Sequence, residues 1–197
     1  MLLASRARGF SLPEILLTVV LLAMLVTLGA RILHWVTHSV RWLYQRSSLQ
    51  QQSMVIMDRC ESDLRQCCRD GLSLAPPNLV GMNRLDPCVY PGLCTYEDQE
   101  VVYRLAGPSL YRELFPHPRA DWKTSEPNLL LPLELTQLVL TPPLQRIRMT
   151  DSAHSFAITP DPDPVFRVDL ELQALVPGRP QPLRCNAQRW FTLRNKK

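Results

Sequence analysis

Residues 6–16 read Arg-Ala-Arg-Gly-Phe-Ser-Leu-Pro-Glu-Ile-Leu: two cations, a glycine and a phenylalanine, then one carboxylate at the head of an apolar run that lasts until Ala30. Glu14 decides the reading. A carboxylate at membrane depth costs about 2.5–3.5 kcal/mol even on lenient insertion scales, so its presence calls for a partner. A cut after Gly9 makes Phe10 the new N-terminus and puts Glu14 about one helical turn from a free α-amino group. The stretch 10–30, at about 1.5 Å per residue, is long enough to span a bilayer. Pro13 does little harm there, because first-turn N–H groups have no helical partner.

A secretory signal peptide also joins a basic head to an apolar segment, but it is cut after that segment. Thr27-Leu28-Gly29-Ala30 offers only a poor small-residue site, and Pro13 and Glu14 go unexplained. A lipoprotein anchor is excluded, since no cysteine precedes Cys60. The basic leader ending in Gly9, the aromatic Phe10, the acid five residues into the cut chain and the continuous apolar helix resemble the processing signature of type IV pilins and pseudopilins. That resemblance implies a prepilin peptidase that cuts between Gly9 and Phe10 and N-methylates Phe10. It implies also that the apolar segment is retained and that Glu14 is an assembly contact.

Removing nine of the 197 residues leaves 188, enough for a membrane segment and one further domain. The net charge of +4 falls to about +2 without Arg6 and Arg8, too weak a bias to argue for nucleic acid. Beyond Ala30, Ile32, Val36, Val40 and Leu43 keep three-to-four spacing. After the polar stretch Gln45–Gln52, Met54, Met57, Cys60/Glu61, Leu64 and Cys68 resume it. Arg59/Asp63 and Glu61/Arg65 stand four apart as pairs for an exposed face, and Gly71 is a natural stop. One helix from Phe10 to about Asp70 is therefore expected, with Trp35, Trp42 and Tyr44 serving either as an interfacial belt or in packing.

Residues 72–98 read as irregular. Strands are expected at Gln99–Leu105 and Ser109–Leu114 around a three-residue turn, then at Leu133–Thr141, Gln145–Thr150, Val165–Leu172 and Ala187–Arg194. The expected organisation is a leader (1–9), a transmembrane and filament-core segment (10–30), a helical continuation (31–71) and a β-rich domain (72–197). The fold class is α+β, a long N-terminal helix packed on an antiparallel sheet.

The helix end Met57–Gln66, the hairpin Val102–Arg112 and the terminal stretch Arg189–Leu193 resemble the J-type minor pseudopilins of type II secretion and the W-type minor pilins. This resemblance implies a pilin-like, non-enzymatic subunit near the tip of a periplasmic pseudopilus, held in the bacterial inner membrane by one span with its C-terminal domain periplasmic. Its partners would be the prepilin peptidase, other minor pseudopilins and the major pseudopilin, with no small-molecule substrate. The alternatives are a minor pilin of a type IV or competence pilus touching DNA, and a single-pass periplasmic enzyme.

No nucleophile elbow, zinc-protease motif, phosphate loop or paired Cys-x-x-Cys occurs, and no cofactor is expected. His34 and His38 share a helix face without a third ligand. Asp161 and Asp163, separated by proline, offer calcium little coordination, so no metal is expected. Arg184, Arg189, Arg194, Lys196 and Lys197 read as a solvated strand face and tail rather than a DNA strip. Cys60 and Cys67, two helical turns apart, are too distant for a disulfide. Full oxidation would pair Cys60, Cys67 and Cys68 with Cys88, Cys94 and Cys185, whereas a local Cys88–Cys94 bridge across Pro91-Gly92 leaves thiols free.

Overall fold

The computed structural model describes residues 11–75, 78–85, 96–116, 130–161, 165–177 and 180–192. The chain divides into two compact units, Met1–Tyr44 and Gln45–Lys197. Helix α1 runs Leu12–Gln66, 55 residues. Within the first unit its most apolar stretch has none of its surface buried by protein, so it is long and apolar enough to cross a membrane. Trp35 and Tyr44 are exposed there and Trp42 is half-buried.

In the second unit α1 buries Leu49, Ser53, Ile56, Met57, Cys60, Asp63 and Leu64, a stripe at three-to-four spacing. Met57, Cys60 and Leu64 are buried as expected, while Met54 is exposed. The stripe packs between two antiparallel sheets. Five strands, β1 (Cys67–Ala75), β2 (Leu79–Leu85), β3 (Tyr96–Ala106), β4 (Ser109–Pro116) and β5 (Gln145–Thr150), follow chain order in the first sheet. Three more, β6 (Ala153–Pro160), β7 (Val165–Ala174) and β8 (Leu183–Thr192), form the second. The α+β layout is the expected one, with the sheet divided in two.

One core joins α1 to both sheets: Val80, Met82, Val101, Tyr103 and Leu110 from the first, Phe156, Ile158, Phe166, Val168, Leu170 and Leu172 from the second. Tyr103 stacks on Phe156 at 5.6 Å between ring centroids, tying sheet to sheet. In β7 the expected alternation holds, with Phe166, Val168, Leu170 and Leu172 buried.

Four local expectations are corrected. The helix ends at Gln66, because Cys67 is already paired with Arg84 in the β1–β2 ladder; Gly71 lies inside β1, past an irregular register. The stretch expected as irregular contains β2. The segment expected as a strand at Leu133–Thr141 is instead helix α2 (Pro132–Leu138). Pro132 opens it, the Leu131 N–H donates to the Glu134 carboxylate at 2.9 Å, and Leu135 and Leu138 are buried one turn apart. The β3–β4 turn has two residues rather than three, Gly107 and Pro108, between the paired Ala106 and Ser109. Gly107 has φ +60°, and proline's fixed negative φ next to it leaves a type II′ turn.

α2 covers the opposite face of the first sheet from α1, over Val102 and Phe115. Gly81 permits this approach, since a Cβ there would lie 2.8 Å from Leu135 Cδ1 and 2.9 Å from Glu100 Oε1. β5 matches the expected Gln145–Thr150, β6 falls outside the expected strands, and β8 starts earlier than the expected Ala187–Arg194.

Candidate functional site

The residues singled out at the N-terminus fall on two sides of a boundary. Gly9 and Phe10 lie outside the described residues. Glu14 is described, in the first turn of α1, where its carboxylate accepts from the Ser11 N–H at 3.1 Å and the Ser11 hydroxyl at 3.2 Å. Ser11 and Glu14 thus have the Ser-x-x-Glu spacing of a capping box, with the acid satisfying an N-terminal amide the helix leaves without a partner. Sequence reasoning missed this second role, although the spacing was visible.

The β domain holds its part of α1 by polar pins rather than by apolar contact alone. Asp63, expected on an exposed face beside Arg59, is buried. Its carboxylate accepts from Arg112 Nε at 2.7 Å and Nη2 at 3.0 Å, from the Tyr103 hydroxyl at 2.7 Å and from Arg84 Nη1 at 3.3 Å. Burial alone would raise this carboxyl, but the bonds from Arg112 and Tyr103 outweigh it and hold it below the ordinary carboxylate range. Burial likewise pushes up the Tyr103 hydroxyl, reinforced by the neighbouring Cys60 thiol and Asp63 carboxylate, so that it donates and stays neutral. On the second sheet, Arg189 Nη1 donates to Asp58 at 2.7 Å and Glu61 at 2.9 Å. The Glu61–Arg65 pair forms as expected, with Arg65 Nε donating at 2.9 Å.

The remaining chemistry reads as structural. Cys60 and Cys185 are free thiols. Cys60 is fully buried and burial pushes it up to about 12, while Cys185 Sγ donates to Ser53 Oγ at 3.8 Å. Cys67 belongs to β1 and not to the helix, which removes the geometry assumed for full oxidation; Cys88 and Cys94 lie outside the described residues. His34 and His38 have ring centroids 6.4 Å apart, and among the described residues no three His, Cys, Asp or Glu side chains cluster for a metal. Asp161 is exposed, and Asp163 lies outside the described residues. Of the C-terminal cations, Arg184 faces Glu171 at 3.5 Å and Arg189 is paired as above; Arg194, Lys196 and Lys197 lie outside the described residues.

Several buried polar atoms of the described residues lack a partner, among them Ser73 Oγ, Asn83 Oδ1 and both carboxylate oxygens of Glu100. Glu100 is buried beneath α2 without a geometric hydrogen bond to its carboxylate, and burial pushes it up to about 8.

No family model matches the chain, and no curated protein or solved structure matches it.

Proposed function

We propose that the chain is a minor pseudopilin, a non-enzymatic assembly subunit that a prepilin peptidase cuts between Gly9 and Phe10 and methylates at Phe10. In this reading it is held by one span in a bacterial inner membrane and then joins other minor and major pseudopilins near the tip of a type II secretion pseudopilus. The observation that carries the reading is Glu14, an acid in the first turn of an unburied apolar helix directly after the Gly9-Phe10 junction. Two further features support it. The later part of the same helix is the spine of a β domain, and buried and half-buried ion pairs from both sheets hold it there.

Glu14 has two roles to separate, the cap to Ser11 and the charge offered to a neighbouring subunit's methylated amine. Glu14→Gln keeps an acceptor for the Ser11 amide, since Gln also completes a capping box. It removes the charge. Ser11→Ala removes only the hydroxyl that donates to the Glu14 carboxylate and keeps the charge. Co-purification with the other minor pseudopilins is expected to fall in Glu14→Gln and persist in Ser11→Ala, with processing intact in both. Equal association in Glu14→Gln and the parent chain would remove the assembly role.

A further inference from the structure

α2 has most of its sheet contacts on β1 and β2, and the far end of that face, in β4 and β5, carries a cluster of charged side chains. The register puts Tyr111 and Glu113 of β4 opposite Arg148 and Arg146 of β5, and Arg104 of β3 opposite Tyr111. These five side chains therefore share one face. Glu113 is fully buried, and its carboxylate takes two bonds from Arg104, Nε at 3.1 Å and Nη2 at 2.9 Å. It takes another from Arg146 Nε. Both guanidiniums also lie over the Tyr111 ring, 5.8 and 5.6 Å from its centroid.

A buried carboxylate thus fixes two arginines that remain partly in solvent, with Arg146 49% exposed. Holding Arg Nε leaves terminal N–H groups of each fork available to a second anion, and the conformational cost of ordering those long side chains is already met in the free protein. Arg148 is exposed beside them. Three arginines against Glu113 leave the patch at net +2. The residue just before β5 adds apolar surface next to the charge: Leu144, whose N–H is tied to the Leu114 carbonyl at 2.7 Å, is 62% exposed. An anchored arginine pair with an exposed leucine at its margin matches a ligand that carries carboxylates and apolar side chains together.

We propose that this face is a docking site for an acidic, leucine-bearing segment of a partner protein, with Arg104, Arg146 and Arg148 receiving its carboxylates and Leu144 its apolar side chains. The charge argues against duplex DNA, whose affinity grows with the number of phosphates neutralised; three arginines, two already shared with Glu113, neutralise few. Two guanidiniums already lie over the Tyr111 ring, so a stacking base would compete with them. The inference goes beyond assembly through α1 and does not depend on cleavage at Gly9.

The test uses the full chain in nonionic detergent and a fluorescein-labelled peptide of repeated Leu-Asp-Glu units, read by anisotropy. Its Leu-Asn-Gln counterpart, a 20-base-pair DNA duplex and phosphatidylglycerol vesicles are the comparison probes. Binding of the acidic peptide alone is expected, weakened about tenfold or more in the Arg146→Gln/Arg148→Gln double variant. Glu113→Gln distinguishes an anchored pair from simple attraction. Removing a negative charge strengthens anion binding at a loose basic patch, whereas here it releases the two arginines and weakens binding. Arg146→Lys, which keeps the charge and loses the fork, is expected to weaken binding as well and serves if Glu113→Gln fails to fold. Tighter binding of DNA or vesicles than of peptide, unchanged affinity in the double variant, or full affinity in Arg146→Lys would overturn the proposal.

Discussion

Replacing Asp63 with Asn is expected to remove a large share of the β domain's stability, because the residue holds α1 to the first sheet through a buried ion pair. Asp63 and Arg112 are both almost entirely inaccessible, at 1% and 2%. Their two-pronged contact, at 2.7 and 3.0 Å, is supplemented by Tyr103 and Arg84. Removing one partner of such a pair strands the other charge away from water, which typically costs about 3–5 kcal/mol. That compares with a total stability of about 5–15 kcal/mol for a domain of ordinary size. With a urea slope of about 2 kcal/mol/M, the unfolding midpoint should fall by about 1.5–2.5 M. Arg65→Ala is the comparison, since Arg65 is 74% exposed and its pair with Glu61 is worth at most about 1 kcal/mol. Urea titration of the full chain in detergent, followed by tryptophan fluorescence and far-ultraviolet circular dichroism, reads both. The double change Asp63→Leu/Arg112→Leu should recover much of the loss, since it leaves no stranded charge. A loss below about 1 kcal/mol in Asp63→Asn would refute the argument that this pair anchors the helix.

Glu100 and Asp63 should impose opposite pH dependences. The Glu100 carboxyl has a reference value of 4.5 and stands at about 8 in the folded chain, so between those values the folded state binds the extra proton and stability falls as pH rises, by at most about 1.4 kcal/mol per unit. Glu100→Gln should flatten that slope and raise the melting temperature at pH 8; an unchanged profile would contradict the burial argument. Asp63, held below its reference value of 3.8, contributes stability that is present above that value and is lost as pH falls through its lower folded value, so acid should release α1 from the first sheet. For the cysteines, iodoacetamide at pH 8 is expected to modify half-buried Cys185 and to spare Cys60 until denaturant is added, as peptide mapping would show. Rapid labelling of Cys60 in the folded chain would mean that the helix is not seated as described.

The class of fold was legible because it rests on periodicity. The apolar run from Leu12, the three-to-four spacing beyond it and the two-residue alternation of β7 each carry their own period. What escaped was set by contacts distant in sequence. Asp63 has the local spacing of a surface pair with Arg59, and only the arrival of Arg112, 49 residues later, makes it a buried anchor. Cys67 and Gly71 lack a local signal that ends the helix early; pairing with β2 supplies it. Pro132-Leu-Glu-Leu is short and leucine-rich, so its period is ambiguous, and the Glu134 cap with burial of Leu135 and Leu138 against the sheet decides for helix. Glu14 was legible as an anomaly in an apolar segment, while its bond to the Ser11 amide follows from the turn geometry. The Glu113–Arg104–Arg146 assembly was invisible because its members lie on three different strands.

The central claim, that this chain is a prepilin whose apolar helix is retained, is tested most directly at its N-terminus. The full chain should be co-expressed with a prepilin peptidase, extracted from the membrane and analysed by intact and peptide mass spectrometry. The account predicts a chain of 188 residues beginning at N-methylated Phe10, the 197-residue chain less nine. Retention of Met1–Gly9, or a terminus after Ala30 with the apolar segment gone, would contradict it.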